Sequence, residues 1–237
     1  MGVVYEYLTF DGKSSRDFEV WISGGGTFDA PERDVESIEI PGRNGDLHID
    51  NGRYKNLPIR YPAFITKDFQ QNFDAFKDYM LSQRGYKRLE DSYNPDHYRL
   101  AEYKASISPQ MGPLNRQGSF EIVFDCDPRR FLKSGEKVLT STTSSRITTL
   151  KNPSLHEAKP LLLINGFGSV TINGIRITVN ASPVYIDCDI EEAYYGSQSR
   201  NEFITLNDKK FPTLQPGINT IAQTVSNLKI TPRWWAV

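Results

Sequence analysis

The chain has 237 residues, enough for one large or two modest domains. Its 28 basic and 29 acidic residues leave a formal net charge of −1, which argues against the clustered positive charge of a nucleic-acid-binding protein. Hydrophobic residues make up 38% and aromatic residues 12%, a composition typical of an ordered β-rich protein. No apolar run approaches the ~20 residues of a membrane span, so we expect no membrane insertion.

Alternating apolar and polar residues predict strands through most of the first half of the chain. Residues 3–10 and 18–23 read as two strands around the turn Asp11–Gly12, and three glycines at 24–26 end the second strand. Further strands are predicted at 57–65, 86–89, 98–107 and 118–125.

The segment PGRNGDL at 41–47 predicts a hairpin running from about Val35 to Ile49. Pro41–Gly42 favours a turn, and Asn44–Gly45 is the strongest short hairpin signal because a type I′ turn needs positive φ at both positions. Apolar residues alternate on both flanks, at Ile38, Ile40, Leu47 and Ile49. Arg43 and Asp46 would give the hairpin a charged tip.

One helix is predicted, from Asp68 to Arg84. Apolar residues recur at spacings of three and four and form one stripe, made of Phe69, Phe73, Phe76 and Met80. Thr66 is a candidate N-terminal cap, and Gly85 supplies the stop. A lone helix with one apolar face should pack on the sheet.

Asp127–Pro128 and the Ser/Thr-rich segment 133–145 mark a domain boundary, which we place between 1–135 and 136–237. The second half is purely β in character, and Asn173–Gly174 predicts a two-residue hairpin turn. Its predicted strands are 161–165, 168–173, 175–180, 184–190, 203–206, 218–224 and 226–235. Short strands at this spacing predict a β-sandwich or jelly roll.

Residue patterns for catalysis or metal binding do not emerge, and we expect no catalytic residue, no metal and no cofactor. His48, His97 and His156 are too far apart in sequence to indicate a zinc site, and Cys126 and Cys188 read as buried, reduced thiols. The acidic run Asp187, Asp189, Glu191 and Glu192 could ligate calcium, but exposed carboxylates at a strand end fit better because no glycine-bearing loop follows.

Two aromatic pairs are the best sequence argument for a ligand. Tyr194–Tyr195 and Trp234–Trp235 are candidate contacts for a glycan or a protein partner, because aromatic faces stack on sugar rings. Adjacent strand residues point to opposite sides, so Trp234 and Trp235 cannot both face a core if their strand is regular.

Six segments in this order resemble the distal tail protein family of long-tailed bacteriophages. They are PGRNGDL (41–47), DNGRYK (50–55), DSYNPDHYRLAEY (91–103), FDCDP (124–128), GINTI (217–221) and TPRWW (231–235). The resemblance spans most of the chain. It implies a ring-forming first domain, β-sandwich-like with one helix and a protruding hairpin, and a galectin-like or jelly-roll second domain.

The same resemblance implies a structural role rather than an enzyme. Members form a homohexameric ring at the tail tip of the virion, assembled in the bacterial cytoplasm. The ring joins the tail tube protein to the tail-tip hub protein and carries the adsorption apparatus, with receptor-binding proteins as further partners. The hairpin would be the subunit interface, through Ile40, Pro41, Gly42, Arg43, Asn44, Gly45, Asp46 and Leu47.

Three alternatives stay open at this point. The hairpin could lie within its own sheet and contact no neighbour. The chain could be a two-domain glycan-binding adhesin. A wall hydrolase would need a pair of carboxylates in a cleft, and no such pair stands out.

Overall fold

The computed structural model describes residues 5–24 and 28–237. The chain divides into two compact units, unit 1 (Met1–Arg130 with Val237) and unit 2 (Phe131–Ala236). Residues 3–4 of the predicted first strand and Gly25–Gly26 of the predicted glycine break lie outside the described residues. The described chain is mainly β with one α-helix, as predicted.

Unit 1 is built on one antiparallel sheet and a separate hairpin. Its strands are β1 (Leu8–Phe10), β2 (Lys13–Ser14), β3 (Trp21–Ile22), β4 (Arg33–Ile38), β5 (Leu47–Tyr54), β6 (Leu57–Ile65), β7 (Lys87–Asp91), β8 (His97–Tyr103), β9 (Gln110–Met111) and β10 (Gly118–Leu132). The sheet order is β2-β1-β7-β8-β10-β6-β3, with β9 also on β10, whereas β4 and β5 pair only with each other.

Helix α1 (Phe69–Ser82) packs its predicted apolar face into the core of unit 1, which confirms the periodicity. The Phe73 ring meets Phe120 of β10 edge-on at 5.1 Å, and the Phe76 ring meets Phe18 edge-on at 5.7 Å. Such pairs add to the stabilisation from burying the rings. The helix therefore lies against the sheet.

Two local predictions in unit 1 are wrong. Residues 18–23 do not form one strand, because a 3₁₀ turn occupies Ser15–Phe18 and Glu19 takes a left-handed φ of 55°, leaving only Trp21–Ile22 extended. The N-cap of α1 is Asp68 rather than Thr66, with a φ of 49° and no side-chain capping bond.

Unit 2 is a two-sheet sandwich, which confirms the predicted class. Its strands are β11 (Leu139–Thr142), β12 (Thr149–Asn152), β13 (Leu161–Asn165), β14 (Gly168–Ile172), β15 (Ile175–Val179), β16 (Val184–Asp187), β17 (Glu192–Tyr195), β18 (Gln198–Ser199), β19 (Ile204–Leu206), β20 (Gly217–Gln223) and β21 (Asn227–Thr231). The short strand β22 (Trp235–Ala236) belongs to neither sheet of the sandwich. One sheet has the order β11-β21-β13-β16-β17-β18 and the other β12-β20-β14-β15-β19.

The Asn173–Gly174 turn is confirmed. Both residues have positive φ, 50° and 87°, and Ile172 pairs directly with Ile175 across the two-residue loop. Strand β11 lies inside the Ser/Thr-rich segment 133–145, and β12 follows shortly after it; neither was predicted as a strand. The predicted linker is therefore partly sheet, since β11 pairs with β21 along its whole length.

The expectation of exposed carboxylates at 187–192 is wrong for Asp187. Strand β16 ends at Asp187. Asp187 is only 7% exposed, and its carboxylate forms an ion pair with Arg233. Cys126 and Cys188 are buried and free, as predicted, and burial raises the pKa of each thiol to about 12.

Candidate functional site

The hairpin formed by β4 and β5, here called the hairpin arm (residues 33–54), is a two-stranded sheet whose residues are nearly all exposed. Its register pairs Ile38 with Leu47, Ser37 with His48 and Glu36 with Ile49, with a bulge between Arg33 and Val35. Residues that face each other across an antiparallel pair lie on the same side of the sheet. The register therefore sorts the arm into two distinct faces.

One face of the arm is mostly apolar and open to solvent. Ile38, Leu47 and Ile49 share it, and Ile40 continues the alternation into the loop. Glu36, the partner of Ile49, is the charged residue on this face. The four apolar side chains are 38–42% exposed. Grouped apolar side chains on an exposed hairpin are typical of a surface that is covered in an assembly.

The opposite face is polar, with Ser37 Oγ 2.9 Å from His48 Nδ1. Toward the base of the arm, ion pairs join the two strands: Arg53 to Asp34 at 2.7 Å and Arg33 to Asp50 at 3.4 Å. The hydrogen bond from Arg53 holds the pKa of Asp34 below its ordinary value. Exposed pairs stabilise weakly, so these contacts add little to the stability of the arm.

The predicted turn chemistry of the arm is half right. Arg43 N donates to Ile40 O at 3.1 Å, and Gly42 takes a φ of 81°, so Pro41–Gly42 forms a β-turn. Of the pair Asn44–Gly45, only Gly45 has a positive φ, 83°, so the predicted type I′ turn does not form. The tip is a wider loop, residues 39–46, and Arg43 and Asp46 are exposed on it.

The sequence-predicted interface residues 40–47 therefore lie together at the tip of the arm. Ile38 and Ile49 complete the apolar face but lie outside the predicted set. The alternation of Ile38 and Ile49 with Leu47 in the sequence could have indicated that they belong to this face. The sequence does not contain the strand register, which puts the three side chains on one side of the arm.

The aromatic pairs are separated by the fold of unit 2. Trp234 is 5% exposed and lies in the core, so its predicted role as a ligand contact is wrong. Trp235 stacks on His156 with ring centroids 4.2 Å apart and donates from Nε1 to Glu157 O. Tyr194 stacks on Tyr185 at 5.6 Å, and Tyr195 is 44% exposed.

Among residues 5–24 and 28–237, no cluster of three or more His, Cys, Asp or Glu side chains could hold a metal ion. Within the same ranges, no helix has the length and apolar character to cross a bilayer.

The fold matches that of a known phage protein. The crystal structure of the SPP1 Dit protein, described as a paradigm of the hub adsorption apparatus in phages that infect Gram-positive bacteria, aligns with a TM-score of 0.73 and 13% sequence identity. The alignment covers 96% of this chain and 98% of that one. A chain of the phage p2 baseplate in its activated conformation aligns at 0.48 with 12% identity, covering 97% and 98%. No protein-family model and no curated protein matches the chain.

Proposed function

We propose that this protein is a structural component of a phage tail tip that assembles into a hexameric ring. The ring joins the tail tube protein to the tail-tip hub and carries the adsorption apparatus, and it is not an enzyme. Two independent features support this role. The chain shares the SPP1 Dit fold over 96% of its length, and its motifs occur in the order of the distal tail protein family.

The exposed apolar face of the hairpin arm is the observation that carries the proposal. An isolated two-stranded hairpin is at best marginally stable in water, and Ile38, Leu47 and Ile49 remain 39–42% exposed. Docking this face on a neighbouring subunit would bury those side chains and stabilise the arm. A protruding arm that meets a different patch on the next copy is a heterologous contact, and such contacts form a ring when the rotation between copies closes.

The two units take different roles in this proposal. Unit 1 carries the arm and would build the ring, while unit 2, a self-contained sandwich, would face outward and meet receptor-binding proteins. The tail tube and hub proteins would dock on the two sides of the ring. The virion tail tip is the place where such a ring functions.

Negative-stain electron microscopy of the purified full chain tests the ring directly. We expect a six-fold ring with an open lumen, and mass photometry should give a mass near six copies of the 27.0 kDa chain. A protein that stays monomeric across a range of concentrations, with and without its tail neighbours, would contradict the proposal.

Glycan binding is a second candidate function, favoured by a groove on the outer face of the six-stranded sheet of unit 2. A row of paired residues crosses this face: Thr140, Lys229, Leu163, Tyr185 and Tyr194. The groove has a volume of about 520 Å³ and is lined by Tyr185, whose ring stacks on that of Tyr194. A glycan array with wild type and Tyr185→Ala tests it, since wild-type binding lost in the variant would support an adhesin role.

A further inference from the structure

Arg99 occupies a core-facing position in β8 of unit 1. Side chains on this strand alternate, and Arg99 lies on the buried face with Ala101 and Tyr103. Its direct cross-strand partner in β7 is Leu89, which is 2% exposed. Arg99 itself is 7% exposed, and an arginine is rarely this buried unless it is paired.

The guanidinium of Arg99 has few partners inside the protein. Its Nη1 donates to Pro128 O at 3.3 Å, and within the described ranges no carboxylate lies within ion-pair distance of it. A guanidinium carries five N–H donors, so most remain available. Burial lowers the pKa of Arg99 from its ordinary value, because removing a charge from water is costly, and the nearby Asp91 only opposes this shift.

A second arginine lines the same pocket. The Nε of Arg130 is buried, and no atom of the described chain accepts its hydrogen bond. Buried polar groups are nearly always hydrogen-bonded, so this donor can bind an acceptor atom that enters the pocket. Arg99 and Arg130 therefore share one pocket in which donors outnumber acceptors.

The acidic group in the pocket is already engaged. Asp91 accepts from Asn94 N on Oδ1 at 2.9 Å and from Tyr61 Oη on Oδ2 at 2.8 Å. Its charge offsets one of the two arginines but forms no direct bond to either. His97 cannot act as a counter-ion to the arginines, and burial together with the nearby Arg130 lowers its pKa, which disfavours a further positive charge in the pocket.

The size of the pocket limits what can enter. Its free interior is about 10 Å³, close to the space that one water molecule or one oxygen atom needs. Asn94, His97 and Tyr98 line it as half-buried residues, so the pocket reaches the surface. A planar carboxylate can insert one oxygen and leave the other at the mouth of the pocket.

We propose that the pocket between Arg99 and Arg130 is a carboxylate-binding site. Guanidinium groups bind carboxylates through charge-assisted hydrogen bonds, and one entering oxygen would provide an acceptor and a negative charge together. The carboxylate comes either from an Asp or Glu side chain of a second copy of this chain or from a free small anion. The site lies within unit 1 and does not require that the ring have six members.

The test uses the full chain and acetate as the probe. Sodium acetate replaces sodium chloride at constant ionic strength and neutral pH, while the melting temperature and the particle mass are followed. For a free-anion site, acetate raises the melting temperature of the wild type in a saturable manner. In Arg130→Gln the half-saturating acetate concentration should rise at least about 10-fold, the usual consequence of losing a charged hydrogen bond.

Arg129→Gln is the matched control, because Arg129 is held by Asp127 through Nε at 3.0 Å and Nη2 at 2.9 Å. This variant should respond to acetate as the wild type does. Arg99→Met is a second test, since it replaces the buried charged side chain with an apolar side chain of similar length. It should fold and lose the acetate response.

The source of the carboxylate is decided by particle mass. If a second copy provides it, Arg130→Gln weakens self-association, acetate competes with assembly in the wild type, and Arg129→Gln does neither. A wild type whose melting temperature and mass are the same in acetate and chloride, together with an Arg130→Gln variant that assembles normally, overturns the site. A monomeric wild type that still shows the acetate response would refute the ring and leave the site standing.

Discussion

Arg233 forms a bidentate ion pair with the carboxylate of Asp187. Nη1 donates to Oδ1 at 2.6 Å and Nη2 to Oδ2 at 2.8 Å, although the residues are 46 positions apart. Asp187 ends β16, and its Oδ1 also accepts from Asp189 N at 3.0 Å. The pair anchors the segment after β21 to the end of β16 within unit 2.

Removing the charge of Asp187 should therefore destabilise unit 2. We expect Asp187→Asn to lower the free energy of unfolding by about 3 kcal/mol at pH 7, because Arg233 is left without its counter-ion. Urea titration measures the change. The exposed Asp208→Asn is the control and should change stability by less than about 0.5 kcal/mol. A similar small loss in Asp187→Asn would mean that the pair contributes little.

The same pair predicts a pH dependence in the acid range. Burial opposes ionisation of Asp187, but the hydrogen bonds from Arg233 and Asp189 N outweigh it and hold the pKa below the ordinary 3.8. A depressed folded pKa gives stability that is present above the unfolded value and is lost as pH falls through the folded value. The stability difference between wild type and Asp187→Asn should be constant from pH 7 to about pH 5 and should shrink below pH 3.8. A difference that stays constant down to pH 2 would contradict this.

The apolar face of α1 should behave as core. Phe73 and Phe76 are 7% and 1% exposed, so Phe73→Ala and Phe76→Ala should each lower the free energy of unfolding by about 3–5 kcal/mol. Leu81 lies on the same helix at 62% exposure, and Leu81→Ala should cost less than about 0.5 kcal/mol. Denaturant titration of the three variants separates a core face from an interface, since a loss under about 1 kcal/mol at Phe76 would place the ring elsewhere.

The apolar face of the hairpin arm should be needed for assembly and not for folding. We expect the triple variant Ile38→Ser, Leu47→Ser and Ile49→Ser to keep the wild-type circular dichroism spectrum and to elute as a monomer. Deleting residues 38–49 should have the same effect. Val35 lies on the other face of the arm at 38% exposure, so Val35→Ser is the control and should still assemble. If the triple variant still forms rings, the hairpin arm is not the contact that joins neighbouring subunits.

Each unit should fold alone, because each has its own buried cluster of apolar residues. A fragment of residues 131–236 is expected to be a soluble monomer with a β-type circular dichroism spectrum. A fragment of residues 1–130 should retain the oligomer. If the fragment 1–130 is monomeric while the fragment 131–236 assembles, the sandwich builds the ring and the proposed roles of the two units must be exchanged.

Local sequence patterns predicted helix α1 correctly but predicted only one of the two Asn–Gly turns. The spacing of Phe69, Phe73, Phe76 and Met80 was sufficient for α1, because a helix needs only its own periodicity to define a face. The dipeptide Asn–Gly shows the limit. At 173–174 the strands meet at Ile172 and Ile175 and force both residues to positive φ, whereas at 44–45 the strands stop earlier and the wider loop relieves Asn44 of that requirement.

The β-rich class, the helix, the buried thiols and the alternating faces of the strands all follow from local sequence patterns. Alternation shows which side chains share a face but not what covers that face. The exposure of Ile38, Leu47 and Ile49 and the burial of Trp234 depend on how the elements pack in three dimensions. The tertiary structure also brought Asp187 to Arg233 and Arg99 to Arg130, since contacts between residues far apart in the chain depend on which strands pair, and no local pattern records that choice.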